Sequence, residues 1–521
     1  MTDVRIITEP LGGSPLSRRL QEGSAPDTWL LPPPRSPDEW RARADQRRAE
    51  GGWSARWAAL GPALAASGVA AARLDRVRQA EGIVVTTGQQ PGLFGGPIYT
   101  WSKAMGALAL ADEIERATGI PTAAIFWAAT DDADFAEAAT TLVARGSETR
   151  TLRATASPPA GTPMSLAPLG DLGVAMDGLL AASASAADPR PLEAARAAYG
   201  TSSSTVGNAY VRLLRALLEP LGVAVLDASH VAVHTASEHM LTLARQRAPA
   251  LARSLAARAA ELRAAGFEPQ VDDVDGLSLV FVREDGVKRR LGVDEAGVSR
   301  DGWYTPNVLL RPVVEATILP TVAYLAGPGE IAYFAQTSAV ASALGAAQPV
   351  ALPRWSCTLV EPHISRLLAR YGASVPDLAA PDLLETRLAR AVMSDGAAAV
   401  LARVRETISS LPDDLGGEAS PLGLGAAVQG ATQSLLHRLD RLERRLVARI
   451  KWRETDQMRD VATLRAALFP RGGRQERGLN LLPILARNGM ELLGEMRDAA
   501  GAHAAMLVRP SHGAGSDRAA P

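Results

Sequence analysis

Cysteine is almost absent from this chain: Cys357 is the single one in 521 residues. That excludes an internal disulfide framework and a cysteine-rich metal site. A dominant charge is missing too, since 55 basic residues face 56 acidic ones for a formal net charge of −1. No global field is therefore available to gather nucleic acid or an anionic membrane. No apolar run approaches the roughly 18 uninterrupted residues of a membrane span. Residues 1–20 hold Glu9, prolines and glycines, and no apolar core of signal-peptide length. Neither a Walker A motif, nor GxGxxG, nor a GxSxG elbow occurs. These absences predict a soluble, cytoplasmic protein with no nucleic-acid or membrane partner. The length allows one large domain with an appendage, or two or three domains.

What is present is patterned. Residues 1–35 are rich in Pro and Gly and read as mostly irregular. Ser36-Pro37-Asp38-Glu39 then looks like a helix start, with a capping serine, proline at the first position and acids in the first turn. Segment 83–87, bounded by Gly82 and Gly88, reads as a buried strand. A glycine-rich turn, an amphipathic helix ended by Gly119, and a second strand over 122–128 follow. Strand, helix and strand in that order make a right-handed parallel crossover, the unit of an α/β sheet. Further strands are expected over 223–227, 321–325, 349–352 and 357–360, the last two closing the core. A small antiparallel element is expected from 270–274, 278–283 and 288–291, with Glu284-Asp285-Gly286 as its turn.

Domain organisation follows from these shifts. Residues 1–370 form the α/β core, with poorly patterned insertions over about 145–200 and 268–300. Residues 371–508 are helical, and 509–521 form a disordered tail. Within the helical part Leu435, Leu439, Leu442, Leu446 and Ile450 draw a coiled-coil stripe, interrupted by the polar run 453–457.

Three strand-ends carry candidate chemistry, because ligands of an open parallel sheet sit beyond the carboxyl ends of its strands. The first offers Thr86, Thr87, Gly88, Gln89, Gln90, Gly92, Gly95 and Gly96, leading into a helix N-terminus suited to phosphate or carboxylate. Tyr99 and Lys103 share one face of that helix, and Lys103 can extend back over the loop. The bland alternative is a polar turn with a solvated lysine. The second strand-end bears Asp131, Asp132 and Asp134, which repel one another unless they meet a cation, an amine or a metal; an exposed acidic turn is the alternative. The third has Gly327, Gly329, Glu330 and Tyr333, with Asn307 and Arg311 just upstream, where Arg311 can clamp a carboxylate through two parallel bonds. His230, His234 and Glu238 have zinc-like spacing but lack a convincing further ligand. Cys357 reads as inert core. Seven Arg and Lys against two acids over 437–453 read as a solvated coiled-coil face.

The stretch VVTTGQQPGLFGGPIYTWSKA strongly resembles the signature of the BshC family, the cysteine-adding enzyme of bacillithiol biosynthesis. The resemblance continues in order through FWAATDDADFAE, NVLLRP, PTVAYLAGPGEIAYFAQ, LPRWSCTLVEP and LFPRGGRQERGLNLLPILARNG, over most of the chain. It implies an α/β fold with a Rossmann-like parallel-sheet core, inserted connecting segments, and a C-terminal helical coiled coil used for homodimerisation. The implied reaction joins the carboxylate of cysteine to the amine of glucosaminyl-malate. ATP is the expected activating nucleotide, because a free carboxylate and an amine do not condense readily; no metal is required.

On that resemblance Lys103, Asp132 and Asp134 are the expected catalytic residues. Lys103 would neutralise charge developing during carboxylate activation, and the two aspartates would bind the amine or sugar hydroxyls. Thr87, Gly88, Gln89, Gln90, Gly92, Gly95, Gly96, Tyr99 and Trp127, with Gly327, Gly329, Glu330 and Tyr333, are the expected binding residues. Asn307 and Arg311 would orient the malate carboxylates. One departure stands out: the family usually shows Glu-Asp-His-Asp-Phe where this chain has Asp131-Asp132-Ala133-Asp134-Phe135. The missing imidazole keeps a second expectation open, a non-catalytic or diverged dimeric binding or scaffold protein of a thiol pathway.

Overall fold

A computed structural model describes residues 2–200, 204–272, 276–298 and 302–509. Its strands, in chain order, begin with β1 (Arg5–Thr8), β2 (Ile83–Gln89) and β3 (Thr122–Ala128), then the hairpin β4 (Thr140–Arg145) and β5 (Glu148–Arg153). They continue with β6 (Val223–Asp227), β7 (Leu277–Glu284), β8 (Val287–Gly292), β9 (Trp303–Pro306), β10 (Thr321–Ala326), β11 (Ala351–Pro353) and β12 (Cys357–Val360). The chain divides into two compact units. The first gathers residues up to Val143, Arg150–Glu361 and those from Gln475 onward; the second holds Ala144–Thr149 and Pro362–Arg474.

The first unit is built on a five-stranded sheet of order β11-β10-β2-β3-β6, parallel throughout. Strands β3 and β10 are buried along their whole length, as expected when helices cover both faces of a parallel sheet. Ala123, Ile125 and Trp127 alternate onto one face, where they pack with Trp53, Trp57 and Leu60. Helix α1 (Ile98–Thr118) joins β2 to β3, and its C-terminus closes on Gly119 at φ 73°. Helices α2 (Arg311–Ile318) and α3 (Pro328–Leu344) flank β10 in the chain. The chain steps from β2 outward to β3 on one side, while β10 lies on the other. The β2–β10 boundary is therefore a topological switch point, where loops diverge and leave a crevice.

Several details differ from the sequence expectation. The N-terminal 35 residues are mostly irregular, as expected, but they hold two elements the pattern did not show: β1, which pairs antiparallel with β12, and the helix Pro15–Gln21. Strand 357–360 therefore belongs to a separate two-stranded ribbon and does not close the main sheet. The segment 145–200 holds β5 and the helices Gly173–Ala182 and Arg190–Tyr199. The small antiparallel sheet is β8-β7-β9, with Asp285 and Gly286 at φ 50° and 80° in its two-residue turn. Its third strand is β9; the expected strand 270–274 lies partly outside the described residues, as does most of the tail.

The second unit is helical. It includes α4 (Asp395–Asp414) and α5 (Gly425–Arg453), which at 29 residues is about 43 Å long. Within this unit Leu439 is buried, whereas Leu435, Leu442 and Leu446 of the same stripe are exposed. The chain from Gln475 on belongs instead to the first unit, although sequence pattern alone grouped it with the helical part. The cause is burial: α6 (Gln475–Gly478) inserts Gln475 and Glu476 beside β12, and α7 (Glu491–Val508) buries Leu492, Leu493, Met496 and Ala500. Arg497 on α7 pairs with Asp112 of α1 at 2.5 Å.

Candidate active site

The carboxyl ends of β2, β3 and β10 open into one cleft of about 830 Å³. At its floor Lys103 of α1 is almost wholly buried. Its Nζ donates to Gly88 O at 2.8 Å and Gln89 Oε1 at 3.1 Å, and pairs with Glu330 Oε2 at 2.5 Å. Three N–H groups thus meet three acceptors. Glu330 also accepts from Gly327 N at 2.6 Å and from Tyr324 Oη at 2.6 Å. Burial lowers the Lys103 pKa, against the pull of Glu330. Burial alone would raise Glu330, but the Lys103 ammonium and the donated bonds outweigh it and hold that carboxyl below the usual glutamate value.

Arg311 is also committed. Its Nη1 pairs with Glu315 at 2.7 Å, and Nη2 donates to Tyr324 Oη at 3.1 Å and Tyr333 Oη at 3.3 Å. The expected two-bond clamp on a substrate carboxylate is therefore not free, because the guanidinium fork already faces a buried glutamate and two phenols. Asn307 Oδ1 accepts from the backbone of Leu309 and Leu310, and caps the turn into α2. Tyr99 Oη accepts from Gln89 Nε2 at 3.1 Å, and Gln90 Nε2 donates to Glu137 at 2.7 Å. Burial, reinforced by Glu137 and Glu330, pushes the Tyr99 phenol to about 12.

The acidic strand-end is different. Lys288 of β8 donates to Asp131 O at 2.6 Å and lies 3.7 Å from its carboxylate. Asp132 Oδ1 accepts from Asp134 N at 2.9 Å, and Asp134 accepts from Glu137 N at 3.1 Å. Among the described residues neither Asp132 nor Asp134 has an ion-pair partner. Burial, with the neighbouring Asp131 charge, raises the Asp132 pKa above the ordinary aspartate value. Ala133 lines the cleft between them.

Most expected residues converge here: Gly88, Gln89, Gln90, Tyr99, Lys103, Trp127, Asp131, Asp132, Asp134, Asn307, Arg311, Gly327, Gly329, Glu330 and Tyr333 all border the cleft. Trp127 does so from the hydrophobic cluster that holds Trp53 and Trp57, and is itself buried. Thr87 does not line the cleft; its Oγ1 ties β2 to Leu325 O at 2.8 Å. Gly92, Gly95 and Gly96 do not line it either. Asn480 Nδ2 fills that loop, donating to Leu93 O, Phe94 O and Gly96 O, while Leu479 O takes the Ile98 N–H at 2.8 Å. The glycines are needed for packing: at Gly95, φ 86°, a Cβ would stand 2.5 Å from the Trp101 ring. His230 and His234 each accept a backbone N–H, from Ala232 and Tyr304, and among the described residues no group of three or more His, Cys, Asp or Glu is arranged to hold a metal ion.

Sequence reasoning missed Arg354, Glu476, Arg477 and Lys288. Arg354 and Glu476 form a two-bond pair at 2.9 and 2.7 Å, both buried, beside the carboxyl end of β11. Their partnership spans more than a hundred residues of chain and leaves no local periodicity; only the motifs LPRWSC and GGRQERGLN carried a signal.

The model of the N-terminal Rossmann-like domain of bacillithiol biosynthesis BshC matches residues 62–303 and 299–355. That of the BshC C-terminal coiled-coil domain matches 357–506. The chain belongs to the BshC family. Among its curated relatives is a Koribacter versatilis protein named "Putative cysteine ligase BshC", 33% identical over 85% of this chain and 86% of its own length. A Solibacter usitatus protein of the same name is 31% identical over 85% of this chain and 87% of its own. One from Salinibacter ruber is 28% identical over 82% of each chain. In this BshC chain the cleft at the switch point is where the family-like segments from β2, β3, β10 and α6 meet. No helix among the described residues is long and apolar enough to cross a membrane.

Proposed function

We propose that this protein is a carbon–nitrogen ligase that joins the carboxylate of cysteine to the amine of glucosaminyl-malate in bacillithiol biosynthesis. The relatives' shared name supports a cysteine ligase. The observation that carries the reaction type is the pair of cleft carboxylates without cation partners, Asp132 and Asp134. An amine nucleophile needs an acceptor for its proton, and a carboxylate whose pKa is raised is suited to that task. Lys103, expected to neutralise charge on the activated carboxylate, has no N–H left for that task, because Gly88 O, Gln89 Oε1 and Glu330 take all three; it holds the loops of the cleft in register.

ATP, when bound, would drive the condensation, its cleavage taking up the carboxylate oxygen that leaves as the amide forms. Asn480 fills the loop before α1, which leaves the first turn of α3, where Glu330 already takes the Gly327 N–H, as the remaining seat for the ATP phosphates. There Gly327, Pro328 and Gly329 border the cleft. The cell interior is the proposed compartment, where the thiol of the substrate stays reduced. The protein acts as a homodimer through the second unit, on the strength of exposed Leu435, Leu442 and Leu446 along one stripe of α5.

One observation favours a second reading. Ala133 stands in the cleft where the family resemblance places histidine, which supports a binding or scaffold protein without turnover. Incubating the protein with cysteine and glucosaminyl-malate, with and without ATP, separates the two. Mass spectrometry should detect cysteinyl-glucosaminyl-malate with ATP. Absence of product under both conditions, with both substrates shown to bind, would reject the ligase.

A further inference from the structure

Six cations line the cleft: Lys103, Lys288, Arg290, Arg311, Arg354 and Arg477. Five are held by the protein itself. Lys103 pairs with Glu330, Lys288 with Asp131, Arg311 with Glu315 and Arg354 with Glu476. Arg290 donates to Ser278 O at 2.6 Å. Arg477 alone has no hydrogen bond or ion pair among the described residues, and it is exposed.

Its backbone is nonetheless fixed on both sides. Gln475 exchanges two bonds with the main chain of Leu359, each at 2.8 Å, and Glu476 is locked to Arg354, Ser356 and Cys357 N. On the other side Asn480 grips the loop after β2. A side chain between two such anchors is presented to the cleft and is not carried on a loose loop. It lies near Tyr99, whose ring also faces the Arg354 guanidinium at 5.7 Å.

The unpaired anions come from another segment. Asp132 and Asp134 follow β3 and line the same cleft. The cleft thus holds two carboxylates without cation partners and one guanidinium without an anion partner. Its complement is a ligand bearing both an amine and a carboxylate.

We propose that Arg477 docks the carboxylate end of the amine substrate, leaving the amine facing Asp132 and Asp134. This role, which rests on the ligase reading of the cleft, takes over the carboxylate contact that Arg311 is not free to make.

The test is calorimetric titration of L-malate, and separately of inorganic phosphate, into wild type, Arg477→Ala and Arg477→Lys, with kinetics alongside. Malate affinity should fall roughly tenfold in Arg477→Ala and return in part in Arg477→Lys. The denaturation midpoint should stay unchanged, and KM for glucosaminyl-malate should rise with little change in kcat. Equal malate affinity in wild type and Arg477→Ala overturns the proposal, as does a wild type that binds no malate. Loss of phosphate binding with malate unaffected overturns the carboxylate assignment. A wild type without turnover whose malate binding depends on Arg477 rejects the ligase and keeps this docking role; turnover with an unchanged KM in Arg477→Ala does the reverse.

Discussion

The two sides of the cleft spend their charges differently. Under β2, β10 and β11 every buried ion has a partner: Lys103 with Glu330, Arg311 with Glu315, Arg354 with Glu476. After β3, Asp132 and Asp134 have none. Buried pairs contribute little net stability yet are costly to break, so the first side is scaffold that holds loops in register. The second side keeps two carboxylates unpaired, the exposed Asp134 and the partly desolvated Asp132, and partial desolvation is where reactive groups are found. Charge in a cleft is not by itself a sign of chemistry; unmatched charge is the better one.

The contrast is broken most strongly on the paired side. Glu476→Ala leaves the Arg354 guanidinium buried without its carboxylate and should cost about 3–5 kcal/mol, read by urea denaturation. Lys103→Ala should behave similarly, since it strands Glu330 and frees Gly88 O. Loss of turnover in Lys103→Ala therefore reports on folding as much as on chemistry. On the unpaired side, Asp132→Asn should lower kcat about 10²–10⁴-fold while shifting stability by less than about 0.5 kcal/mol. A large stability loss there would place Asp132 with the scaffold.

The Asp132 carboxyl also gives a pH signature. Its folded pKa lies above its unfolded value, so the native state holds the proton more tightly. Its contribution favours folding below the ordinary aspartate pKa and is lost as pH rises through the raised value. Relative to Asp132→Asn, wild type should lose stability between those two points. In kinetics the ascending limb of kcat/KM should lie above the ordinary carboxylate range. A limb within that range would assign the base elsewhere. The smallest effect on the fold is expected in the second unit. Leu442→Glu alters an exposed position and should leave the melting temperature nearly unchanged, while light scattering shows the dimer dissociating. A dimer that persists would move the self-association surface off the α5 stripe.

Much of this arrangement was legible in the chain. Strands 83–87 and 122–128 announce themselves as short apolar runs between breakers, and their parallel pairing follows from the helix between them. Lys103 and Glu330 were each legible as residues at helix starts after strands, though not as partners. What was hidden is contact between distant segments. Nothing local says that Asn480 fills the glycine loop 92–96, or that Glu476 neutralises Arg354. The first of these reverses a role, since the glycine loop becomes packing. Strand β1 was missed because four residues among prolines and glycines carry no periodicity, and only its partner β12 makes it a strand.

The central claim is that the unpaired carboxylates, and not the buried pairs, carry the reaction. A single-turnover assay with cysteine, glucosaminyl-malate and ATP tests it most directly, comparing wild type with Asp132→Asn at matched folded fraction. Amide product in wild type, and at least about 100-fold less in the variant, is the predicted result. Equal product from both proteins would contradict it.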